Sequence, residues 1–328
     1  MVLVVGENGA GKTNLLESLH VGTQGFSPRT RSDALVIRFG EEAGRVVLRG
    51  VRGRSPLETD VTLRLQDGKQ ARLNGARLAA AEQLRRELST LVFTPDRLAV
   101  VKGGPAVRRA YVDRTLGRLS PSRAPLAGEY GAAVAQRNAA LRRASLGLSS
   151  TDAVAPWSAQ IASLGAALVA ARHEAIEALQ PAFAERAAEL GLRDARLAYA
   201  GEPPTVALLE ERLARDLERG TTGIGPHLDD VVIASGAREL RSFGSQGEQR
   251  LAVLALLLSE AEVLAERGSR PLLLLDDVLS ELDEGRRRIL AARVGAAGQT
   301  VITATSAAAF PGEAAQVVDV RPGEARTR

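Results

Sequence analysis

The 328-residue chain contains no cysteine, which excludes disulfides, thiol catalysis and any cysteine-built zinc site. That absence fits a reducing interior. Histidine is nearly as scarce. His20, His173 and His227 are scattered along the chain, a poor basis for a histidine-built metal centre. Lysine occurs only at positions 12, 69 and 102, so 40 of the 43 basic residues are arginine. Aromatics make up 3%, and the single tryptophan, Trp157, reads as core rather than as a base-stacking platform. No apolar run approaches the ~18 residues of a membrane span. The N-terminus shows neither a basic n-region nor a cleavage site, so the expectation is a chain with no signal peptide and no membrane partner. With 45% hydrophobic and 25% charged residues, the remaining composition is that of a globular protein. The length suits one large or two medium domains.

Against this background one stretch stands out. Gly6-Glu7-Asn8-Gly9-Ala10-Gly11-Lys12-Thr13 fits G-x-x-x-x-G-K-[ST], the phosphate-binding loop of nucleotide hydrolases. The chemistry explains each part. Glycines at 6, 9 and 11 let the backbone turn so that several N–H groups face one anion. Lys12 brings a positive charge to the β- and γ-phosphates, and the Thr13 hydroxyl is a ligand for Mg²⁺. The expected ATP-binding set is Gly6, Asn8, Gly9, Gly11, Lys12, Thr13 and Asn14. The flanks agree. Val2–Val5 is wholly apolar, as a buried parallel strand should be. Asn14–His20 reads as the start of a helix whose N-terminus faces the phosphates.

The net charge of +4 is unevenly placed. Residues 29–109 hold 17 basic and 9 acidic side chains, a balance of +8, so the remainder totals −4. A polyanion-binding face is one explanation, and a solvated face rich in arginine is another. Charge alone does not choose between them. Arg45, Arg49, Arg52 and Arg54 are the candidates for contact with such a polyanion.

Short runs at 34–39, 45–51, 61–65 and 71–73, separated by Gly, Pro and Asp-Gly turns, read as a small antiparallel sheet. Residues 79–88 are a helix candidate and 91–93 a buried strand. From about 106 to 220 the texture turns Ala-, Leu-, Arg- and Glu-rich with helical periodicity. The longest stretches are 125–144 and 157–190, the second bent or broken at Pro181. Strand texture returns at 228–234. A long helix then opens at Ser245, with Leu251, Leu254, Leu258, Ala261 and Leu264 on one face. The expected class is α/β: a P-loop ATPase lobe with a mixed sheet plus a small antiparallel sheet, and an inserted helical lobe. The boundaries are 1–105 and 223–328 for the nucleotide lobe and 106–222 for the helical lobe. Residues 321–328 read as a frayed tail.

Two later motifs narrow the chemistry. Leu272–Leu275 is an apolar strand that ends in Asp276-Asp277. Asp276 stands where a residue belongs that holds Mg²⁺ directly or through a bound water, and Asp277 where a base could orient the attacking water. Catalysis is therefore assigned to Asp277 and Lys12, and the metal to Thr13 and Asp276. Ser245-Gln246-Gly247-Glu248 combines a hydroxyl, a glycine and a helix N-terminus, a second anion-binding end. Its place, one helix before the acid-ended strand, resembles the signature of ABC-type ATPases. Those dimerise head to tail, so that each signature covers the partner's γ-phosphate. Ser280–Asp283, with Asp283, resembles their D-loop and caps a helix through Val294.

Further strings carry a closer resemblance: Arg29-Thr30-Arg31, residues 37–42 and 93–97, 101–105 with Arg108-Arg109, Gln136-Arg137-Asn138, Gly225–Asp230, 245–250 and 273–283. Together with the phosphate loop they resemble the RecF family along nearly the whole chain. RecF proteins are similar to SMC head domains without the long coiled coil. The resemblance implies ATP and Mg²⁺ as cofactors, and an ATP-dependent homodimer on duplex or gapped DNA. It also implies slow hydrolysis that resets the dimer, RecR and RecO as partners, RecA loading, and a cytoplasmic, nucleoid-associated location. Asp277 stands where most ABC ATPases have Glu, and a shorter carboxylate fits slow turnover. Thr305 stands where transporters place a histidine. RecF-like proteins carry one more strand upstream, about 20 residues at common lengths, so an N-terminally shortened chain is expected. Two other readings compete. A transporter's nucleotide-binding subunit is disfavoured by the basic bias and by Gly225–Asp230. A clamp that binds ATP without hydrolysing it is disfavoured by the intact Lys12, Asp276 and Asp277.

Overall fold

The computed structural model describes the backbone of all 328 residues and every side chain except those of Arg52, Arg86, Ala296 and Ala297. The chain opens with β1 (Val2–Val5) and turns through the phosphate loop into α1 (Lys12–Gln24). A meander follows: β2 (Ala43–Arg52), β3 (Ser55–Arg64), β4 (Gly68–Leu73) and the short β5 (Ala76–Arg77), then β6 (Thr90–Phe93). Four helices come next: α2 (Ala99–Lys102), α3 (Pro105–Leu119), α4 (Leu126–Ser145) and α5 (Ala155–Glu189). They lead through β7 (Ala195–Ala200), α6 (Val206–Glu211), α7 (Leu213–Arg219), β8 (Asp230–Ser235), β9 (Arg238–Glu239) and α8 (Leu240–Phe243) to α9 (Gln246–Glu266). The chain ends with β10 (Leu272–Leu275), α10 (Glu284–Ala297), β11 (Thr300–Ala304), β12 (Gln316–Arg321) and β13 (Glu324–Thr327).

By contact the chain parts into two units, Met1–Arg97 with Leu257–Arg328, and Leu98–Leu256. The first is built on a six-stranded sheet of order β13-β12-β1-β11-β10-β6. All neighbours are parallel except the β12–β13 pair at the edge. Leu3–Val5 and Leu273–Leu275 are buried, which is why β1 and β10 read as unbroken apolar runs, and β11 is buried along its whole length. Val4, Val92, Leu274, Val301 and Val320 form a core with Leu16 of α1, so the helix behind the phosphate loop is pinned to the sheet that carries the acids. The second sheet of this unit, β2-β3-β4-β5, is antiparallel. Its inner face buries Val61, Leu63 and Ala71 with Val21 of α1, and its outer face is open.

Three expectations in this unit need correction. Residues 34–39 are not a strand. Asp33–Val36 forms a 3₁₀ turn, with the consecutive Val36 and Ile37 packed inward and Leu35 and Phe39 exposed, so the run has no alternating face. Residues 79–88 hold only a 3₁₀ segment, Ala81–Arg86. The C-terminal residues are not frayed. β13 turns back at Gly323 and pairs with β12, and Arg328 donates to both carboxylate oxygens of Asp319 at 2.6 and 2.8 Å.

The second unit packs α4 and α3 on α5, beside the antiparallel sheet β7-β8-β9. That sheet explains why residues 223–256, expected in the nucleotide lobe, pack with the helices. β8 pairs along its length with β7, and a strand cannot leave its ladder partner. Residues 98–105 also group here. The helix α5 runs through Pro181 as one element. Together with the turn before it, over Thr151–Glu189, it is long and apolar enough to cross a membrane by length and composition, contrary to the expectation from apolar runs. Arg172 and Arg186 within it are buried in ion pairs, and Trp157 packs on the cluster of Ala140, Leu141 and Val154. Along α9 the burial is not confined to one stripe, since every residue from Leu251 to Ala261 is buried. A helix buried all round is a core helix, here with the polar Ser259 and Glu260 among the buried residues.

Candidate nucleotide site

The cleft at the end of the six-stranded sheet has a volume of about 230 Å³ and is lined by Asn8, Gly9, Gly11, Lys12, Thr13, Asn14, Arg29, Asp276, Asp277 and Thr303. Local geometry shapes its floor. Gly6 runs so close to β12 that a side chain there would meet the Val320 carbonyl oxygen at 2.4 Å. Gly11 stands at φ 105° as the first residue before α1, a conformation that glycine adopts without steric cost. No side chain caps the N-terminus of α1 among the described residues, and its first turn carries no acid. The free N–H groups and the positive end of the helix dipole therefore face the cleft. Lys12 Nζ is held over the loop by the carbonyl oxygens of Gly6 at 2.8 Å and Glu7 at 2.9 Å.

Across the cleft, Thr13 Oγ1 donates to Asp276 Oδ1 at 3.2 Å, joining residues 263 apart in sequence. Asp276 is buried at the end of β10, and its backbone N–H donates to Phe93. Asp277 is exposed and left-handed, with φ 49° and ψ 26°. Aspartate tolerates that region better than most residues. The sequence-predicted set Gly6, Asn8, Gly9, Gly11, Lys12, Thr13, Asn14, Asp276 and Asp277 thus shares one locus. Arg29 and Thr303 were not in it. Arg29 donates to Glu17 Oε2 at 3.1 Å, and Ser27 ties the same carboxylate to the backbone of residues 29 and 30. Neither residue carries a sequence signal for its place, although Arg29 lies in one of the RecF-like strings.

The signature turn is built separately, in the second unit. Ser245 and Glu248 form a reciprocal cap on α9. Glu248 N–H donates to Ser245 Oγ at 3.2 Å, and Ser245 N–H donates to Glu248 Oε2 at 2.8 Å, the capping-box arrangement. These bonds from Ser245, with Arg238 at 3.1 Å, hold the Glu248 carboxyl below its usual range. Ser245, Gln246 and Gly247 are exposed. Asp283 caps α10 by accepting from Arg286 N–H at 2.9 Å.

The arginine candidates divide. Arg45 donates to both oxygens of Asp60 at 3.0 and 2.8 Å, and the bond lowers the Asp60 pKa. Arg49 pairs with Glu58 at 2.7 Å. Arg54 is exposed in the β2–β3 turn, and the Arg52 side chain lies outside the described residues. Registry places Arg64, Arg72 and Arg77 on the same outer face. A shallow depression of about 430 Å³ there is lined by Arg45, Asp60, Thr62, Arg64, Gln70 and Arg72, among others. Arg72 and Arg77 stand directly opposite each other, an arrangement that repels unless an anion bridges it.

Residues 1–327 match the RecF/RecN/SMC N terminal domain family. Among similar proteins is the DNA replication and repair protein RecF of Heliobacterium modesticaldum, 33% identical over 95% of this chain and 88% of that protein. The RecF of Symbiobacterium thermophilum is 36% identical over 92% and 84%, and that of Myxococcus xanthus 35% over 99% and 91%. A solved structure of the recombination mediator protein RecF with ATP, in the RecFOR pathway, superposes with a TM-score of 0.84 at 26% identity, over 100% of this chain and 91% of that one. An SMC head bound to the C-winged helix domain of ScpA superposes at 0.59 with 15% identity, over 100% and 89%, and shares the fold alone.

Proposed function

The chain belongs to the RecF family of DNA replication and repair proteins, within the RecF/RecN/SMC class of ABC-type ATPase folds, and we propose that it is an ATP-driven dimerisation switch on duplex DNA. Gly6, Asn8, Gly9, Gly11, Lys12, Thr13 and Asn14 bind the triphosphate. The observation that carries this reading is the bond between Thr13 and Asp276. It brings the phosphate loop and the acid-ended strand to one point.

A Mg²⁺ ion fits there. Its donors, the Thr13 hydroxyl and the Asp276 carboxylate, are hard oxygens. Mg²⁺ is usually held by one or two such groups together with substrate phosphates. When bound, the metal neutralises charge on the phosphates. Lys12 supplies a second positive charge to the same oxygens. Asp277, exposed at the rim, accepts hydrogen bonds from the attacking water and orients it.

Hydrolysis is slow and resets a head-to-tail homodimer in which Ser245, Gln246, Gly247 and Glu248 meet the partner's nucleotide and Asp283 flanks the contact. DNA lies on the outer face of β2–β5. On that face Arg45, Arg49, Arg64, Arg72 and Arg77 outnumber Glu58 and Asp60, and Arg54 stands at its edge. Arg52 is retained as a candidate. By analogy with the RecFOR pathway named for its relatives, the partners are gapped DNA, RecR and RecO, the outcome is RecA loading, and the location is the cytoplasm at the nucleoid.

Titration with a fluorescent ATP analogue tests the nucleotide reading. Lys12→Ala should weaken binding about 10- to 100-fold, the worth of a hydrogen bond from a charged donor. Equal affinities for wild type and variant would refute it.

A further inference from the structure

The buried hydroxyl of Thr303 is the one polar group from β11 that enters the cleft. Thr303 is fully buried. It donates to Asp276 Oδ1 at 2.8 Å and accepts from the backbone N–H of Asp277 at 2.8 Å. One side chain therefore holds both acids, one through its carboxylate and the other through its backbone. The adjacent strand supplies no equivalent grip on Asp277. The nearest other bond there is from Ser280 Oγ to the Asp277 carbonyl, which leaves the N–H to Thr303.

We infer that Thr303 is a positioning residue for the metal- and water-binding acids, required for Asp276 to present its outer oxygen and for Asp277 to keep its left-handed backbone. The inference rests on the ATPase reading above. Two features carry it. Both hydroxyl donors, Thr13 and Thr303, converge on Oδ1 of Asp276, which fixes that oxygen and leaves Oδ2 engaged by neither of them. Thr13 must also serve the metal, and its bond to Asp276 is the longer of the two at 3.2 Å. Thr303, on a buried central strand, is thus the fixed anchor. The second feature is Asp277 itself. A left-handed non-glycine residue persists only where its surroundings impose it. Without the hydroxyl the half-buried Asp277 N–H loses its acceptor, which costs free energy.

Thr303→Val keeps the shape and removes the hydroxyl, and Thr303→Ser restores it. The nucleotide affinity of each folded variant is measured with a fluorescent ATP analogue, in chelator and in Mg²⁺, alongside melting temperature and hydrolysis. In chelator the valine variant should bind as wild type does, because Lys12 and the loop are untouched. It should lose about tenfold of the affinity that Mg²⁺ adds, and kcat should fall more than KM rises. The serine variant should recover both. Thr303→Ala carries the same expectation should valine not fold. A hydroxyl-free variant that gains as much from Mg²⁺ as wild type overturns the inference. So does a folded serine variant as impaired as valine. Wild type that binds no nucleotide would instead sink the ATPase reading on which the inference stands.

Discussion

Replacing Arg137 tests how the second unit is held together. Arg137 and Asp216 are both buried, at 0% and 1% exposure. The Arg137 guanidinium donates to Asp216 Oδ2 at 2.7 Å, Thr222 Oγ1 at 3.0 Å, Ser158 Oγ at 3.0 Å and the Leu209 carbonyl at 3.3 Å. Neighbouring Asn138 accepts from the Thr222 N–H and hydroxyl at 2.7 and 2.8 Å. One pair of adjacent residues on α4 thus ties α5, α7 and the loop at 222. Arg137→Met removes the charge while keeping much of the volume, and it strands the Asp216 carboxylate in the core. Breaking a buried pair from one side costs about 3–5 kcal/mol. A unit of roughly 160 residues loses about 2–4 °C per kcal/mol, so the melting transition should fall by about 6–20 °C. Differential scanning calorimetry reads this directly. Asp216→Leu should cost a similar amount, and the double variant should lose clearly less than the sum, because no charge is then left unpaired. Additive losses, or an Arg137→Met variant that melts with wild type, would show that no stranded Asp216 carboxylate is responsible.

Other outcomes follow from the same structure. Asp277→Asn should keep ATP affinity and slow hydrolysis by tenfold or more, on the order of general-base effects, with unchanged single-turnover rates as the refuting result. Duplex DNA binding should weaken steeply with salt through counterion release. Arg72→Glu with Arg77→Glu should flatten that slope in a fluorescence-anisotropy titration, whereas an unchanged slope would assign DNA to another face. His227 gives a pH dependence. Its Nδ1 accepts from Tyr130 at 2.8 Å and its Nε2 donates to Thr222 at 3.1 Å, so the folded state holds it neutral. Burial, together with the charge of Arg109, lowers its pKa. The unfolded chain then binds more protons below its ordinary pKa of about 6.5, and stability falls as pH drops through that value toward the folded one. Melting temperature should decline between pH 7 and 5, and His227→Gln should flatten the decline.

That the phosphate loop, Asp276 and Asp277 would meet in one cleft was legible because they sit in short contiguous strings. A phosphate loop needs its glycines at fixed offsets, and an apolar strand that ends in two aspartates has few other uses. Thr303 was not legible, since a threonine inside a buried strand looks like any β-branched core residue until its hydroxyl is placed beside Asp276. Arg137 and Asn138 were visible as a family string, but their role is internal and depends on partners about 80 residues away. Residues 34–39 misled because Leu35 and Phe39, both apolar, face solvent. The terminal hairpin carried no amphipathic signal, as all four residues of β13 are exposed. The return from the helical unit was expected near 223 because β8 reads as a strand. Sequence does not say which sheet a strand joins, and here its partner is β7.

In the proposed switch, ATP assembles two copies of this chain on DNA, each signature turn covering the other's phosphate loop. Sedimentation velocity with ATP and duplex DNA, separately and together, tests it most directly. The expected result is a monomer without nucleotide, a dimer with ATP that DNA stabilises further, and no dimer from Lys12→Ala or Ser245→Arg under the same conditions. A chain that stays monomeric with both ligands, or a dimer that forms equally well with Lys12→Ala, would contradict it.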